Sequence, residues 1–369
     1  MDKMKRFIDI YVPVEACTLR CHYCYITHHR LFANKLPKFK YDAETFRKAL
    51  SKERLGGTCL LNFCGGGETL LPPEMPSYIK AVLEEGHYVM VVTNATIDKA
   101  FDEIASFPKE LLSRLFFKFS YHYLQLKERN WFDKFFNNIR KVRDAGASFT
   151  LEATPSDELI PHIKEMQDLA VKEVGAVCHV TVARDEHDIS KLNILTQMNR
   201  EEYKKTWEVF DSKLFDYKFS IFGEPRKEFC HAGDWTLTLD MGNGFLSQCY
   251  KGLYSQNIMD NVHKPIKFKP IGCHCHQPHC FNGHAWIALG TIPELKAPTY
   301  AELRNRTCTD GTEWLKPEMK AFLSQKLYDN NEEYSKLKKW LTNAEMSLRE
   351  KKETLTTNIW NIYKKATGK

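Results

Sequence analysis

The sequence predicts an α/β fold in which six β-strands alternate with helices and form a partial (β/α)6 TIM-like barrel. Three observations support this fold. Six short apolar runs are each followed by a helix-like stretch, which is typical of βαβ units and a parallel sheet. A cysteine-rich region with a β-hairpin then interrupts the alternation, and a lysine- and glutamate-rich helical tail ends the chain. We therefore expect a barrel over 1–215, an extension over 216–295 and C-terminal helices over 296–369.

The barrel elements are expected in a regular order. The strands are expected at 7–12, 59–64, 88–93, 115–120, 148–152 and 177–182. The helices are expected near 43–53, 74–85, 98–106, 127–145 and 157–173, and from about 199 onward. In barrels of parallel strands the active site lies at the carboxyl ends of the strands. The motifs described below all fall at such ends.

The C-terminal third has two further elements. Residues 235–240 and 245–249 are β-like and flank the turn Met241-Gly242-Asn243-Gly244, which predicts a β-hairpin. An amphipathic helical stripe follows, and we expect it to pack on its own domain rather than on a partner. The stripe consists of Tyr334, Leu337, Leu341, Ala344, Leu348, Leu355, Ile359 and Ile362.

Composition excludes several classes of protein. The chain has 369 residues, of which 43% are hydrophobic and 27% charged, as in ordinary globular proteins. A net charge of +6 is too small for its length to indicate a nucleic-acid partner. No apolar run is long enough to span a membrane or to act as a signal peptide. We therefore expect a cytoplasmic protein with no membrane or nucleic-acid partner.

Twelve cysteines are present, and without an export signal their clustering indicates metal binding rather than disulfides. Cys17, Cys21 and Cys24 have the spacing C-x3-C-x2-C and directly follow the first predicted strand. Three thiolates this close can bind one inorganic cluster. Because four usually hold a 4Fe–4S cube, one iron would keep an open coordination site. The three cysteines are therefore predicted to hold a reactive cluster.

This motif, with the aromatic Tyr23 before its last cysteine, resembles the signature of radical S-adenosylmethionine (SAM) enzymes. The resemblance implies that SAM chelates the fourth iron and is reduced to a 5′-deoxyadenosyl radical. The segment Gly65-Gly66-Gly67-Glu68-Thr69 is similar to the family's Gly-Gly-Glu-Pro motif, with threonine in place of proline. It implies that Gly66, Gly67 and Glu68 bind the methionine end of SAM.

Other SAM contacts are expected at the ends of later strands. Tyr23 offers a ring on which adenine can stack. Ser120 matches the place of a family residue that hydrogen-bonds the ribose, and a guanidinium such as that of Arg184 suits the SAM carboxylate. The complete set of predicted cofactor contacts is Tyr23, Gly66, Gly67, Glu68, Asn94, Ser120, Glu152 and Arg184. The sequence identifies no catalytic residue.

The second cysteine cluster is similar to the SPASM or twitch extension of radical SAM enzymes, which implies one auxiliary 4Fe–4S cluster. Five cysteines are available for four ligand positions, and Cys273 competes with Cys275. The residues are Cys230, Cys249, Cys273, Cys275 and Cys280. A zinc ion is the alternative to the cluster, because the histidines between these cysteines also suit zinc.

The resemblance implies an oxidoreductase or modifying enzyme that removes a hydrogen atom from a substrate C–H bond. Flavodoxin or ferredoxin is the expected reductant. A sugar or glycan precursor is the expected substrate, and the basic stretch 264–269 could attract an anionic one. Two alternatives stay open, a peptide- or protein-modifying enzyme of the RiPP type and a non-catalytic zinc or Fe–S interaction protein.

Overall fold

The computed structural model describes residues 2–33, 35–187, 192–250 and 252–367. Nine β-strands form one sheet in the order β6-β5-β4-β3-β2-β1-β7-β8-β9. The strands are β1 Arg6–Val12, β2 Cys59–Gly65, β3 Tyr88–Thr93, β4 Leu115–Ser120, β5 Ser148–Ala153, β6 His179–Val180, β7 Thr236–Asp240, β8 Phe245–Ser247 and β9 Ser255–Asn257. Strands β1 to β6 are all parallel, which confirms the predicted α/β partial barrel.

Helices connect the parallel strands and complete the C-terminal part. Within the barrel they are α1 Tyr25–His29, α2 Ala43–Ala49, α3 Lys52–Leu55, α4 Met75–Glu84, α5 Asp98–Ala105, α6 Lys109–Leu112, α7 Tyr123–Arg129, α8 Phe132–Ala145, α9 Ile163–Val174, α10 Arg200–Trp207 and α11 Lys213–Ser220. Beyond it lie α12 Gly283–Trp286, α13 Tyr300–Arg304, α14 Pro317–Leu323, α15 Leu327–Asn330 and α16 Lys336–Thr367.

Local sequence explains where these helices begin and end. Asp42 caps α2 by accepting a hydrogen bond from the Thr45 amide at 2.7 Å. Asn199 and Glu202 form a capping box at the start of α10. Gly175 ends α9 with a φ of 81°, a conformation in which a side chain would be strained. The helices are therefore placed by their own caps as well as by packing.

The two faces of the barrel sheet have different partners. On β1, Ile8, Ile10 and Val12 belong to the core between sheet and helices. The alternate residue Phe7 points to the other face, where the C-terminal segment fills the base of the barrel. Members of this base cluster include Phe7, Leu60, Met90, Phe116, Trp235, Trp286, Tyr300 and Phe322. The base is thus closed by apolar packing, and open space remains toward the carboxyl ends of the strands.

The structure differs from the sequence prediction in three elements. The sixth strand is only two residues long, because only His179 and Val180 pair with β5. The predicted helix over 157–173 begins with a 3₁₀ segment, Asp157–His162, that contains Pro161. The predicted hairpin exists as β7 and β8, but β7 also pairs in parallel with β1. The extension therefore continues the barrel sheet.

The predicted apolar stripe lies mainly on the long helix α16. Most of the described side chains of this stripe are exposed. Leu337, Leu341, Leu348 and Leu355 are each more than half exposed, so the predicted packing of the stripe on its own domain is wrong for them. The side chains of Ile359 and Ile362 lie outside the described part of the structure. Within the described residues, no helix combines the length and the apolar character that crossing a membrane requires.

We expect the segment after α13 to be a main determinant of stability. The buried Trp314 packs on Phe149 of β5 at 5.1 Å between ring centroids, and its indole N–H donates to the Val174 carbonyl at 2.9 Å. Trp314→Ala should lower the free energy of unfolding by about 3–5 kcal/mol, as measured by urea denaturation.

Trp340→Ala on α16 is the matched control, because that ring is 64% exposed. It should change the free energy of unfolding by no more than about 0.5 kcal/mol. Equal losses in the two variants would contradict this account of the fold.

Candidate active site

Two cavities that share lining residues lie at the carboxyl ends of the parallel strands. The smaller one, of about 90 Å³, is lined by the three clustered cysteines and by the glycine motif. The larger one, of about 790 Å³, occupies the upper barrel interior and reaches Cys249 in the extension. Both cavities are lined by Cys64, Gly65, Val92 and Ser120. A ligand in the cysteine cavity would therefore adjoin the contents of the barrel.

Cys17, Cys21 and Cys24 lie on the loop between β1 and α1, and all three line the small cavity. Burial, together with the nearby Glu68 and Cys24, raises the pKa of Cys17 to about 11. Burial, Cys24 and Cys17 raise the pKa of Cys21. Neighbouring thiols with raised pKa values suit a metal centre, whose positive charge would stabilise the thiolates.

The glycine motif is joined to the start of the cysteine loop by backbone hydrogen bonds. The Gly66 amide donates to Val12 at 3.2 Å, the Gly67 amide donates to Val14, and the Glu68 amide donates to Ala16 at 3.0 Å. A Cβ on Gly67 would lie 2.1 Å from the Ala16 carbonyl oxygen, a distance that no side chain can occupy. Glycine is therefore required for the two loops to meet.

The Glu68 carboxylate is buried and fully engaged by the protein. One oxygen accepts from the Thr93 hydroxyl at 2.5 Å and from the Leu70 amide at 3.0 Å. The other accepts from the Asn94 amide at 2.8 Å. Burial raises the pKa of Glu68, and these hydrogen bonds oppose the rise. Glu68 thus links the ends of β2 and β3 and leaves the glycine backbone to face the cavity.

Three other predicted SAM contacts lie around the same cavity. The Asn94 amide nitrogen donates to Thr18 at 3.0 Å and lies 3.7 Å from the Cys17 sulfur. Ser120 ends β4 and lines both cavities. The Tyr23 hydroxyl is bonded to His122 Nδ1 at 2.6 Å, and His122 lines the small cavity. The structure therefore brings these residues together with the three cysteines.

Glu152 and Arg184 line the large cavity instead, and each has a protein partner of opposite charge. Glu152 pairs with Lys118 at 3.0 Å and with the buried Arg304 at 3.1 Å. Arg184 pairs with Glu186 at 2.8 Å. Both were predicted to contact SAM. Both therefore already form ion pairs in the cavity wall, and their contact with SAM stays a prediction.

Sequence analysis missed the polar side chains inside the barrel. Asp9, Asn62 and Lys118 all point into the large cavity from β1, β2 and β4. Each is a polar residue with an apolar neighbour on either side in its strand, at a position that alternates with residues of the outer core. That alternation was the signal that could have identified them.

Asp9 is the centre of a hydrogen-bond network that joins the barrel to the extension. Its carboxylate accepts from Asn62 at 2.6 Å, from Asn282 at 2.8 Å and from the hydroxyl of Tyr250. Burial raises the pKa of Asp9, and the bonds from Tyr250 and Asn62 partly offset that rise. Tyr250 follows Cys249 directly, and Asn282 lies two residues after Cys280. The network therefore fixes the second cysteine cluster against the barrel.

Four of the five cysteines in the extension lie near one another. Burial raises the pKa of Cys230 well above its ordinary value, and Cys280, Cys249 and Cys275 raise it further. Burial, Cys249 and Cys275 likewise raise the pKa of Cys280. The four thiols affect one another's ionisation, as ligands of one centre would.

Cys273 lies apart from this group. It is exposed, and its sulfur lies 3.6 Å from the amide nitrogen of Asn343 on α16. Its own amide donates to the Asn343 side-chain oxygen at 3.0 Å. Of the two competing cysteines, Cys275 is therefore the one that faces the other three.

Residues 11–160 match the family model described as the Radical SAM superfamily. No curated protein sequence matches the chain. Among solved structures, the fold is similar to Streptococcus suis SuiB (15% identity, TM-score 0.48, covering 70% of this chain and 64% of SuiB). It is also similar to anSMEcpe with bound AdoMet (14%, 0.48, 69% and 78%) and to BtrN with AdoMet and 2-DOIA (13%, 0.31, 72% and 84%). The chain thus spans less than two thirds of the length of SuiB.

We expect Gly67→Ala to separate the glycine motif from the cysteine loop, because its Cβ would overlap the Ala16 carbonyl. The overlap should cost about 1–3 kcal/mol of stability and should lower iron retention after anaerobic reconstitution. Gly311→Ala is the control, since a Cβ there meets nothing within 4 Å. The control should lose about 1 kcal/mol through its positive φ and keep its iron. Full iron content in Gly67→Ala would contradict this role.

The ion pairs of Glu152 predict a pH-dependent contribution to stability. Burial alone would raise the pKa of Glu152, but Lys118 and Arg304 outweigh it and hold the pKa below its ordinary value. The stabilisation is therefore present above the unfolded-state pKa and is lost as pH falls through the lower folded-state pKa. Glu152→Gln should lower the melting temperature at neutral pH, and this difference should shrink in acid. A difference independent of pH would refute the assignment.

Proposed function

We propose that residues 11–160, which match the family model of the Radical SAM superfamily, hold a 4Fe–4S cluster and SAM. Cys17, Cys21 and Cys24 would bind the cluster, and Gly66 and Gly67 would bind the methionine end of SAM. When bound, this pair of groups supplies a 5′-deoxyadenosyl radical that takes a hydrogen atom from a substrate C–H bond. A flavodoxin or ferredoxin would provide the electron.

The residues of the small cavity fit these groups. The three thiols of the cysteine loop line it together with Cys64 of β2. We assign the cluster to the three loop thiols alone, which leaves one iron of a cube without a protein ligand. The Glu68 side chain is already bonded to Thr93, Asn94 and Leu70, so it orients the glycine backbone rather than a ligand. Asn94 holds Thr18 of the cysteine loop in place. The protein therefore contributes a fixed arrangement of loops around the cofactors.

The observation that carries the proposal is that the two cavities share part of their wall. Both are lined by Ser120, Val92, Gly65 and Cys64, so a radical formed at the cysteine end would lie next to the barrel interior. The large cavity, at about 790 Å³, falls within the size range of small-molecule sites. Its polar lining provides hydrogen-bond partners that could orient a substrate. This enclosed space supports an enzyme over a non-catalytic interaction protein.

We further propose that Cys230, Cys249, Cys275 and Cys280 hold an auxiliary 4Fe–4S cluster. In the described residues no three cysteine sulfurs lie within 4.8 Å of one another. Four sulfurs around one tetrahedral zinc, at about 2.3 Å each, would lie about 3.8 Å apart. The cysteine sulfurs thus lie farther apart than the ligands of one zinc ion would, and this separation favours a cluster over a single zinc ion. Because Cys249 lines the large cavity, such a cluster would adjoin the substrate and could bind it or accept an electron from it.

The proposed substrate is a small polar molecule such as a sugar or glycan precursor. The cavity lining supports this choice, because charged and amide side chains from the barrel interior form its floor. A peptide- or protein-modifying activity is the alternative, and it would require that a peptide segment enter the same cavity.

The proposal predicts that anaerobically reconstituted protein with SAM and dithionite forms 5′-deoxyadenosine. Replacing Cys17, Cys21 and Cys24 with alanine should abolish this product and reduce the iron content from about eight to about four per chain. Cys230→Ala should also lower the iron content. Cys273→Ala, the matched control in the same region, should keep it.

Two outcomes would contradict the proposal. If the wild-type protein never forms 5′-deoxyadenosine, the radical chemistry is wrong. If wild-type protein holds only about four irons and Cys230→Ala holds the same number, the auxiliary cluster is absent.

A further inference from the structure

Lys218 is a buried lysine that forms no ion pair with any carboxylate of the described residues. It lies on α11, is only 7% exposed and lines the large cavity. Its ammonium group donates to the Thr181 hydroxyl at 2.6 Å and to the Val182 carbonyl at 3.3 Å. Across the described residues no carboxylate oxygen comes within ion-pair distance of it. A buried charge held only by neutral groups is costly to fold, which makes it a candidate for function.

The other cations of the cavity are neutralised. Lys118 lies 3.0 Å from Glu152, and Arg184 lies 2.8 Å from Glu186. Burial lowers the pKa of Lys218 well below its ordinary value, and the nearby Arg184 and Lys118 lower it further. Burial and these cations therefore outweigh the opposing influence of Glu152, and an anion beside Lys218 would favour its charged form.

A neutral histidine lies on the same wall. His284 lines the large cavity from α12, and its Nδ1 atom is buried without a hydrogen-bond partner among the described residues. Burial, Lys218 and Lys118 lower the pKa of His284 well below its ordinary value. A neutral ring always carries one N–H donor. Lys218 and His284 thus offer two donors that a ligand could use.

We propose that Lys218 and His284 form a subsite that binds an anionic oxygen group of the substrate, a carboxylate or a phosphate. An anion would supply the negative partner that Lys218 lacks. It would also accept a hydrogen bond from the free N–H group of His284. This inference rests on the proposed function, since it treats the large cavity as the substrate site. It narrows the substrate class to molecules that carry an acidic group.

The location of the subsite separates it from the cofactor. Neither Lys218 nor His284 lines the cysteine cavity, where the methionine end of SAM is proposed to bind. The subsite of Lys218 and His284 also replaces the basic stretch 264–269 as the expected anion-binding feature. In that stretch Lys264 and Lys267 are exposed and Lys269 pairs with Glu345 on α16. Charge recognition is therefore expected inside the barrel rather than on the surface loop.

The test measures anion binding by reconstituted, SAM-saturated protein with inorganic phosphate and acetate as probes, using isothermal titration calorimetry. Wild-type protein should bind at least one probe, and the tighter one indicates a phosphorylated or a carboxylate-bearing substrate. Lys218→Met should weaken that binding by about tenfold or more, because it removes a charge-assisted hydrogen bond. Lys218→Arg, which keeps the charge, should restore most of it.

Lys213→Met is the matched control, because Lys213 lies on the exposed side of the same helix. It should bind the probes as wild type does. Equal binding by Lys218→Met and wild type, no binding of either probe by wild type, or displacement of SAM by the probes would each overturn the subsite. Formation of 5′-deoxyadenosine by wild-type protein is measured separately, so a failure of the radical chemistry is distinguishable from a failure of anion binding.

Discussion

The site depends on the backbone contact between the segment after β1 and the glycine motif after β2. The two strands are paired in parallel up to Val12 and Gly65. Hydrogen bonds from Gly66 and Glu68 then continue this pairing beyond the strands as far as Ala16. The cysteine loop therefore starts from a position fixed by the sheet itself. Only a glycine at position 67 permits this approach, because the Ala16 carbonyl occupies the place of a Cβ.

Every second side chain of a strand points into the barrel, and successive inward side chains lie at different depths along the barrel axis. On β1, Phe7 lies in the apolar base, Asp9 lies in the floor of the cavity and Tyr11 lies toward the mouth. The C-terminal segment fills the base and so prevents the cavity from extending through the barrel. Because the floor is polar and hydrogen-bonded, its side chains are held in place before any substrate binds. This arrangement makes the cavity a preformed site.

The fold was largely predictable because its signals are local. Strand runs, helix periodicity and cysteine spacing are each contained in short segments, and the structure confirms the order of the parallel strands. The pairing of β7 with β1 was not predictable, since it joins residues more than two hundred positions apart. The same holds for the bonds from Tyr250 and Asn282 to Asp9. The polar residues inside the strands were visible in the sequence, but their inward direction depends on which face packs against helices.

Charge balance in the large cavity shows which of its groups serve the fold and which are available to a ligand. Asp9 is held by hydrogen bonds from three neutral side chains, and Glu152 is held by two cations. The bonds to Asp9 come partly from residues that flank Cys249 and Cys280, so the floor of the barrel and the second cysteine cluster share one network. Any movement of that cluster would therefore change the hydrogen bonds to Asp9. The acidic groups that line the cavity are already engaged, and among the described residues Lys218 has no carboxylate within ion-pair distance. Lys218 is therefore where the cavity can still gain an ionic contact from a ligand.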